Sequence, residues 1–233
     1  LKGGKFLEAE LLYRRIVQIE PNHIYANYYL SFALQLLGKF EEAIMGYKIT
    51  TSLKPDYAEA YSNMGSSLGR LKRFEEAIIN YKKAISLKPD YIEAYTNLGI
   101  TLHLLGNSDE AEVNFKKVIK LNPNFAEGYN TLAKMLNDLG RFDEAIENYK
   151  KRIKINPNFS EAHKDLGNIF NKIGKFEEAA ICFKKAISLK SDNKEATINL
   201  NIILEQKKLL SKIHEIRKNN NKNNLDKLNL KKG

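Results

Sequence analysis

The sequence predicts an all-α solenoid built from antiparallel helix pairs, and three observations carry that reading. All five prolines, Pro21, Pro55, Pro89, Pro123 and Pro157, fall 34 residues apart. The text around them recurs: LKPDYAEAYSNMG at 53–65, LKPDYIEAYTNLG at 87–99, LNPNFAEGYNTLA at 121–133 and INPNFSEAHKDLG at 155–167. Within an interval the apolar residues recur at helical spacing, as at Tyr61, Met64, Leu68 and Leu71. A fixed period between about 20 and 50 residues marks stacked supersecondary units. One such unit cannot bury its own apolar face; neighbours bury it together.

Counted from the third residue after each proline, units begin at Ile24, Ala58, Ile92, Ala126, Ser160 and Lys194. Residues 1–23 read as the second half of a truncated repeat, because Gly4, Phe6, Ala9 and Tyr13 share the register of Gly38, Phe40, Ala43 and Tyr47. Residues 24–193 are five full units. Residues 194–218 are a partial sixth unit and capping helix. Residues 219–233 are a basic, Asn/Lys-rich tail or linker, expected to be disordered.

Each unit reads as two helices. The first is expected to start on an N-cap and N3 pair: Asp56 with Glu59, Asp90 with Glu93, Asn124 with Glu127, Asn158 with Glu161, and Asp192 with Glu195. Gly38, Gly106, Gly140 and Gly174 stop it, since glycine tolerates the left-handed C′ conformation. The second helix opens KFEEAIMGYK, RFEEAIINYK, RFDEAIENYK or KFEEAAICFK. Its early carboxylates suit the positive helix end. The next proline limits it.

Small residues mark the crossings. Ala43, Ala77, Ala111, Ala145 and Ala179 hold one slot. Gly65, Gly99 and Gly167 hold another, with Ser31 and Ala133 in the same place. Aromatics hold a third: Tyr47, Tyr81, Phe115, Tyr149 and Phe183. Close packing needs small residues against large ones. These slots resemble the tetratricopeptide repeat, with small residues at positions eight and twenty, an aromatic at twenty-four and proline at thirty-two. The resemblance spans about residues 3–206 and implies a right-handed superhelical TPR solenoid whose first helices line a concave side. Thr50, Val118 and Arg152 depart from the usual alanine at position twenty-seven, and Ser191 from the proline. Arg152 is expected to point its head outward while its stem packs.

Composition excludes several classes. There is one cysteine, Cys182, so no internal disulfide or CxxC metal motif exists. No apolar run is long enough to span a membrane, and no signal peptide opens the chain. No nucleophile, metal or phosphate-loop motif appears. Neither catalysis, a cofactor nor a metal is expected, and Cys182 reads as a packing residue. The net charge is +10, but 207–233 alone hold nine Lys or Arg against two acids. That tail could touch acidic polymers or lipids weakly. It lacks interleaved aromatics, so nucleic-acid recognition is not expected.

Binding is the remaining role, with a protein or extended peptide as partner and the cytoplasm as location. Asn63, Asn97 and Asn199 share the sixth position of their units. The repeats look most like the superhelical arm of O-GlcNAc-transferase-like proteins, which implies an asparagine ladder along a bound backbone. Tyr29, Thr131 and Asp165 interrupt it. Lys164 and Asn168, with Asn199 on the next unit, resemble part of the family's carboxylate clamp; its remaining register falls on Asn229 and Gly233. His103 is placed on the concave face as a ligand contact. The alternative function is the non-catalytic arm of a larger enzyme, such as an O-GlcNAc-transferase-like glycosyltransferase or another transferase. The missing Met and the half repeat at the start are what a piece of a longer chain would show.

Overall fold

The computed structural model describes residues 2–229, with side chains over 4–213 and at 216 and 217. Among the described residues there are twelve α-helices and no strands. They pack as sequential antiparallel pairs and divide into two compact units, Leu1–Leu139 and Gly140–Gly233.

The first unit holds α1 (Lys2–Ile19), α2 (Ile24–Leu36), α3 (Phe40–Leu53), α4 (Ala58–Arg70), α5 (Phe74–Leu87), α6 (Ile92–Leu104), α7 (Ser108–Leu121) and α8 (Ala126–Asp138). The first helix of each repeat begins on the residue that the proline register selects. Gly65 faces the ring of Tyr81, and a Cβ there would lie 2.8 Å from the ring. Gly99 faces Phe115, where the same distance would be 2.7 Å. Real Cβ atoms do not approach so closely, so these crossings need glycine. Ala43, Ala77 and Ala111 are completely buried.

One expectation about helix ends changes. Asp56, Asp90 and Asn124 lie one residue too early to cap. The N-caps are Tyr57, Tyr91 and Phe125, with no side-chain cap bond. The turn after proline is closed by backbone, as Ala58 N donates to Asp56 O at 3.0 Å. Where position 34 carries a side-chain acceptor, it does cap: Asn193 Oδ1 accepts from Ala196 N at 3.1 Å. At the other end, Gly38 and Gly106 adopt φ of 78° and 83° as expected. Lys72 takes the same left-handed place at φ 61°, where a side chain is strained.

α1 is pinned electrostatically. Glu10 is buried, and Lys39 Nζ donates to its carboxylate at 2.8 Å. Arg14 bridges Glu10 and Glu42. Lys39's hydrogen bond first, then Arg14's, hold Glu10 below the ordinary carboxylate range.

The second unit holds α9 (Phe142–Ile155), α10 (Ser160–Lys172), α11 (Phe176–Leu189) and α12 (Lys194–Asn229). Gly167 meets the ring of Phe183 as Gly65 meets Tyr81. Phe159 is the N-cap of α10, again without a side-chain cap bond, so Asn158 does not cap. Asn193 rather than Asp192 caps α12. Arg152 does not point outward. It is 4 % exposed, its guanidinium lies 4.0 Å from the Phe159 ring centroid, and Nε and Nη1 have no hydrogen-bond partner. Its slot, shared with fully buried Ala186, sets the head against Phe159 and leaves it little access to water. Cys182 is half-buried, and burial pushes its thiol up to about 11. α12 runs on past the expected end of the capping helix at 218 to Asn229, so 219–229 of the basic tail, expected to be disordered, is helical; residues 230–233 lie outside the described residues.

Candidate functional site

The first helices of the first unit carry the most distinctive surface. Tyr28 stacks on Tyr57 at 4.7 Å, Tyr13 stacks on Tyr29 at 5.6 Å, and Tyr25 meets Tyr57 edge-on at 6.2 Å. The ammonium of Lys54 sits 5.0 Å from the Tyr57 centroid. Burial drives the Tyr28 phenol far above its usual range, so it stays protonated and neutral.

This cluster decides the fate of Asn63. Its side chain is buried, and Nδ2 donates to the Tyr28 hydroxyl at 2.9 Å. Asn97 holds the same position one repeat later in different surroundings. It is half-buried and lines an open pocket of about 570 Å³ with Tyr91, Glu93, Thr96, Asn122 and Phe125. The residue 35 before Asn63 is Tyr28, whereas the residue 35 before Asn97 is Ser62, so no phenol stands in the equivalent place. Thr96, which also lines the pocket, spends its hydroxyl proton on Ile92 O at 2.9 Å. Asn122 Oδ1 accepts from Asn124 N at 3.1 Å. The Asn97 amide therefore keeps both a donor and an acceptor for a visitor.

His103 lies at the end of α6. Its Nδ1 is 3.0 Å from Ser108 Oγ and its Nε2 is 3.4 Å from Asp138 Oδ2. The ring ties three helices of the first unit together rather than standing free.

In the second unit, Lys164, Asn168 and Asn199 do converge, around Glu195, which the sequence assigned only to the helix start. Glu195 Oε2 accepts from Lys164 Nζ at 2.8 Å and Oε1 from Asn168 Nδ2 at 2.9 Å. Asn199 Nδ2 donates to Asn168 Oδ1 at 2.9 Å. Lys164's hydrogen bond first, then Asn168's, hold Glu195 below the usual carboxylate range. Burial works to lower Lys164, but Glu195 and Asp165 outweigh it and raise it. The chain's own carboxylate thus occupies these donors. Glutamate also holds this position at 59, 93, 127 and 161, which hid its local role. The remaining clamp register, Asn229 and Gly233, lies outside the described side chains.

Among the described residues no cluster of three or more His, Cys, Asp or Glu could hold a metal ion, and no helix is long and apolar enough to cross a membrane.

Family profiles for the TPR repeat match residues 70–106 and 133–174, and those for the tetratricopeptide repeat match 92–125, 160–193 and 114–147. The chain is a tetratricopeptide-repeat protein. No curated protein sequence matches it. A crystal structure of MamA is similar at TM-score 0.64 and 28% identity, covering 70% of this chain and 95% of MamA. MamA from Desulfovibrio magneticus RS-1 shares the fold at 22% identity, TM-score 0.64, covering 80% of this chain and 97% of that one. YrrB, a TPR protein with an unusual peptide-binding site, shares the fold at 20% identity and TM-score 0.62, covering 79% of this chain and 95% of YrrB. These relatives are MamA and YrrB rather than an O-GlcNAc-transferase arm in particular.

Proposed function

We propose that this tetratricopeptide-repeat protein is an interaction scaffold that holds an extended segment of another protein against the first helices of its first unit. The observation that carries this reading is the open pocket around Asn97. An amide with donor and acceptor both available, set among aromatic side chains, suits the backbone of an extended chain whatever its sequence. YrrB, which has a peptide-binding site, supports this reading at the level of the shared fold. The same role would serve an array carried as the arm of a longer transferase.

In this reading the asparagine ladder has one open rung in the first unit. Asn97 is a contact. Asn63 is a packing residue whose amide belongs to Tyr28. Asn199, Asn168 and Lys164 form a polar seam closed by Glu195. The test is a titration of a peptide recovered by affinity capture against Asn97→Ala and Asn63→Ala. Asn97→Ala should weaken binding by about 0.5–1.5 kcal/mol with an unchanged melting curve. Asn63→Ala should lower the melting temperature instead, because it empties a buried position and removes the hydrogen bond to the half-buried Tyr28 phenol. Full affinity in Asn97→Ala would remove the proposal.

A further inference from the structure

The repeats pair a cation with the aromatic residue that ends each turn. Lys54 sits 5.0 Å from the Tyr57 centroid and Lys88 sits 4.8 Å from that of Tyr91, each from three residues earlier in the chain. At Phe159 the earlier residue is Asn156, and Arg152 supplies the cation instead, at 4.0 Å. At Phe125 the earlier residue is Asn122, an exposed amide. Among the described residues no cation lies over the Phe125 ring. It is half-exposed and lines the Asn97 pocket.

The charge around that ring has the right sign to draw a cation. Asp90 and Glu93 also line the pocket, both exposed. The lining cation, Lys88, is engaged by the Tyr91 ring and by Glu59 at 3.1 Å. Burial, and then the negative charge of Glu93, push the Tyr91 phenol up to about 12. The pocket is therefore locally acidic on a chain of net charge +10.

We propose that the Asn97 pocket takes an arginine side chain of the bound segment, its guanidinium over the Phe125 ring and directed to the Glu93 carboxylate. Arginine suits this better than lysine. Its planar, weakly hydrated head stacks on a ring face while its N–H groups meet a carboxylate. The bound arginine supplies to Phe125 what Lys54 and Lys88 supply to Tyr57 and Tyr91. This rests on the peptide-binding reading and adds to it the chemistry of the anchor.

The experiment uses capped nine-residue Gly/Ser peptides with a central arginine, or with the neutral isostere citrulline. Binding is followed from the amide signals of Thr96, Asn97 and Phe125 in the full chain. The arginine peptide should move these signals saturably and bind roughly fivefold tighter than the citrulline peptide. Glu93→Gln should remove most of that difference. Asn122→Lys, on an exposed position, restores the internal pairing to Phe125. It should weaken the arginine peptide roughly fivefold more than it weakens the citrulline peptide. Equal binding of the two peptides at these signals would overturn the arginine anchor and leave the peptide-binding reading standing. Failure of both peptides to move the signals at millimolar concentration would overturn both readings. An Asn122→Lys chain that folds and binds arginine normally would also overturn the anchor.

Discussion

Lys72 holds φ at 61° where Gly38, Gly106, Gly140 and Gly174 do the same task without a Cβ. The left-handed conformation costs a non-glycine residue about 1 kcal/mol or more. Lys72→Gly should therefore raise stability by about 1 kcal/mol in a denaturant titration; a loss would mean that the lysine side chain holds the turn. Arg152 presents a second local cost. Two of its nitrogens are buried without partners, and only the Phe159 ring offsets the lost hydration. Replacing a buried charge by an apolar residue of similar volume is commonly neutral or stabilising. Arg152→Met should raise the melting temperature, and a clear fall would show that the guanidinium finds a partner in solution.

At the scale of the helix pair, Ala77 and Ile79 make opposite forecasts. Ala77 is completely buried at the crossing, whereas Ile79 is 67% exposed. Ala77→Leu should cost about 1–3 kcal/mol by overpacking. Ile79→Ala should stay within about 0.5 kcal/mol. Melting curves of the two variants check the order, and its reversal would move the register of the second helix. α1 is held in part by charge. Glu10's folded pKa is lowered by Lys39 and Arg14, so its contribution is full above its unfolded value. It is lost as the pH falls through the lower, folded value. Exchange protection of α1, corrected for intrinsic rates, should fall relative to α4 on acidification below about pH 4.5. Glu10→Gln should show the weakened α1 already at pH 7. Parallel loss in α1 and α4 would mean that Glu10 does not hold this helix.

For the molecule as a whole, what repeats was legible in the sequence and what is paired across repeats was not. Helix starts at Ile24, Ala58 and Ile92 follow from the proline register, because a fixed φ and a short turn leave the chain little choice. The glycine crossings follow from size alone. The caps shifted by one residue because aromatics at 57, 91 and 125 take the cap position with no acceptor to offer. Asn63 and Asn97 are equivalent by register yet differ in fate. The difference comes from Tyr28, 35 residues before Asn63 in the chain, and no local pattern carries that information. Glu195 was hidden for the converse reason, since glutamate also holds that position in the four units before it.

The central claim is that a partner segment lies in the Asn97 pocket. Its most direct test is site-specific photo-crosslinking to a captured partner segment, with a benzophenone side chain placed at Thr96 and, in a second chain, at Ile79. Thr96 lines the pocket and Ile79 is exposed on a second helix. The partner should crosslink from position 96 and not from position 79. Crosslinking from position 79 with none from 96 would contradict the claim and place the partner on the second helices.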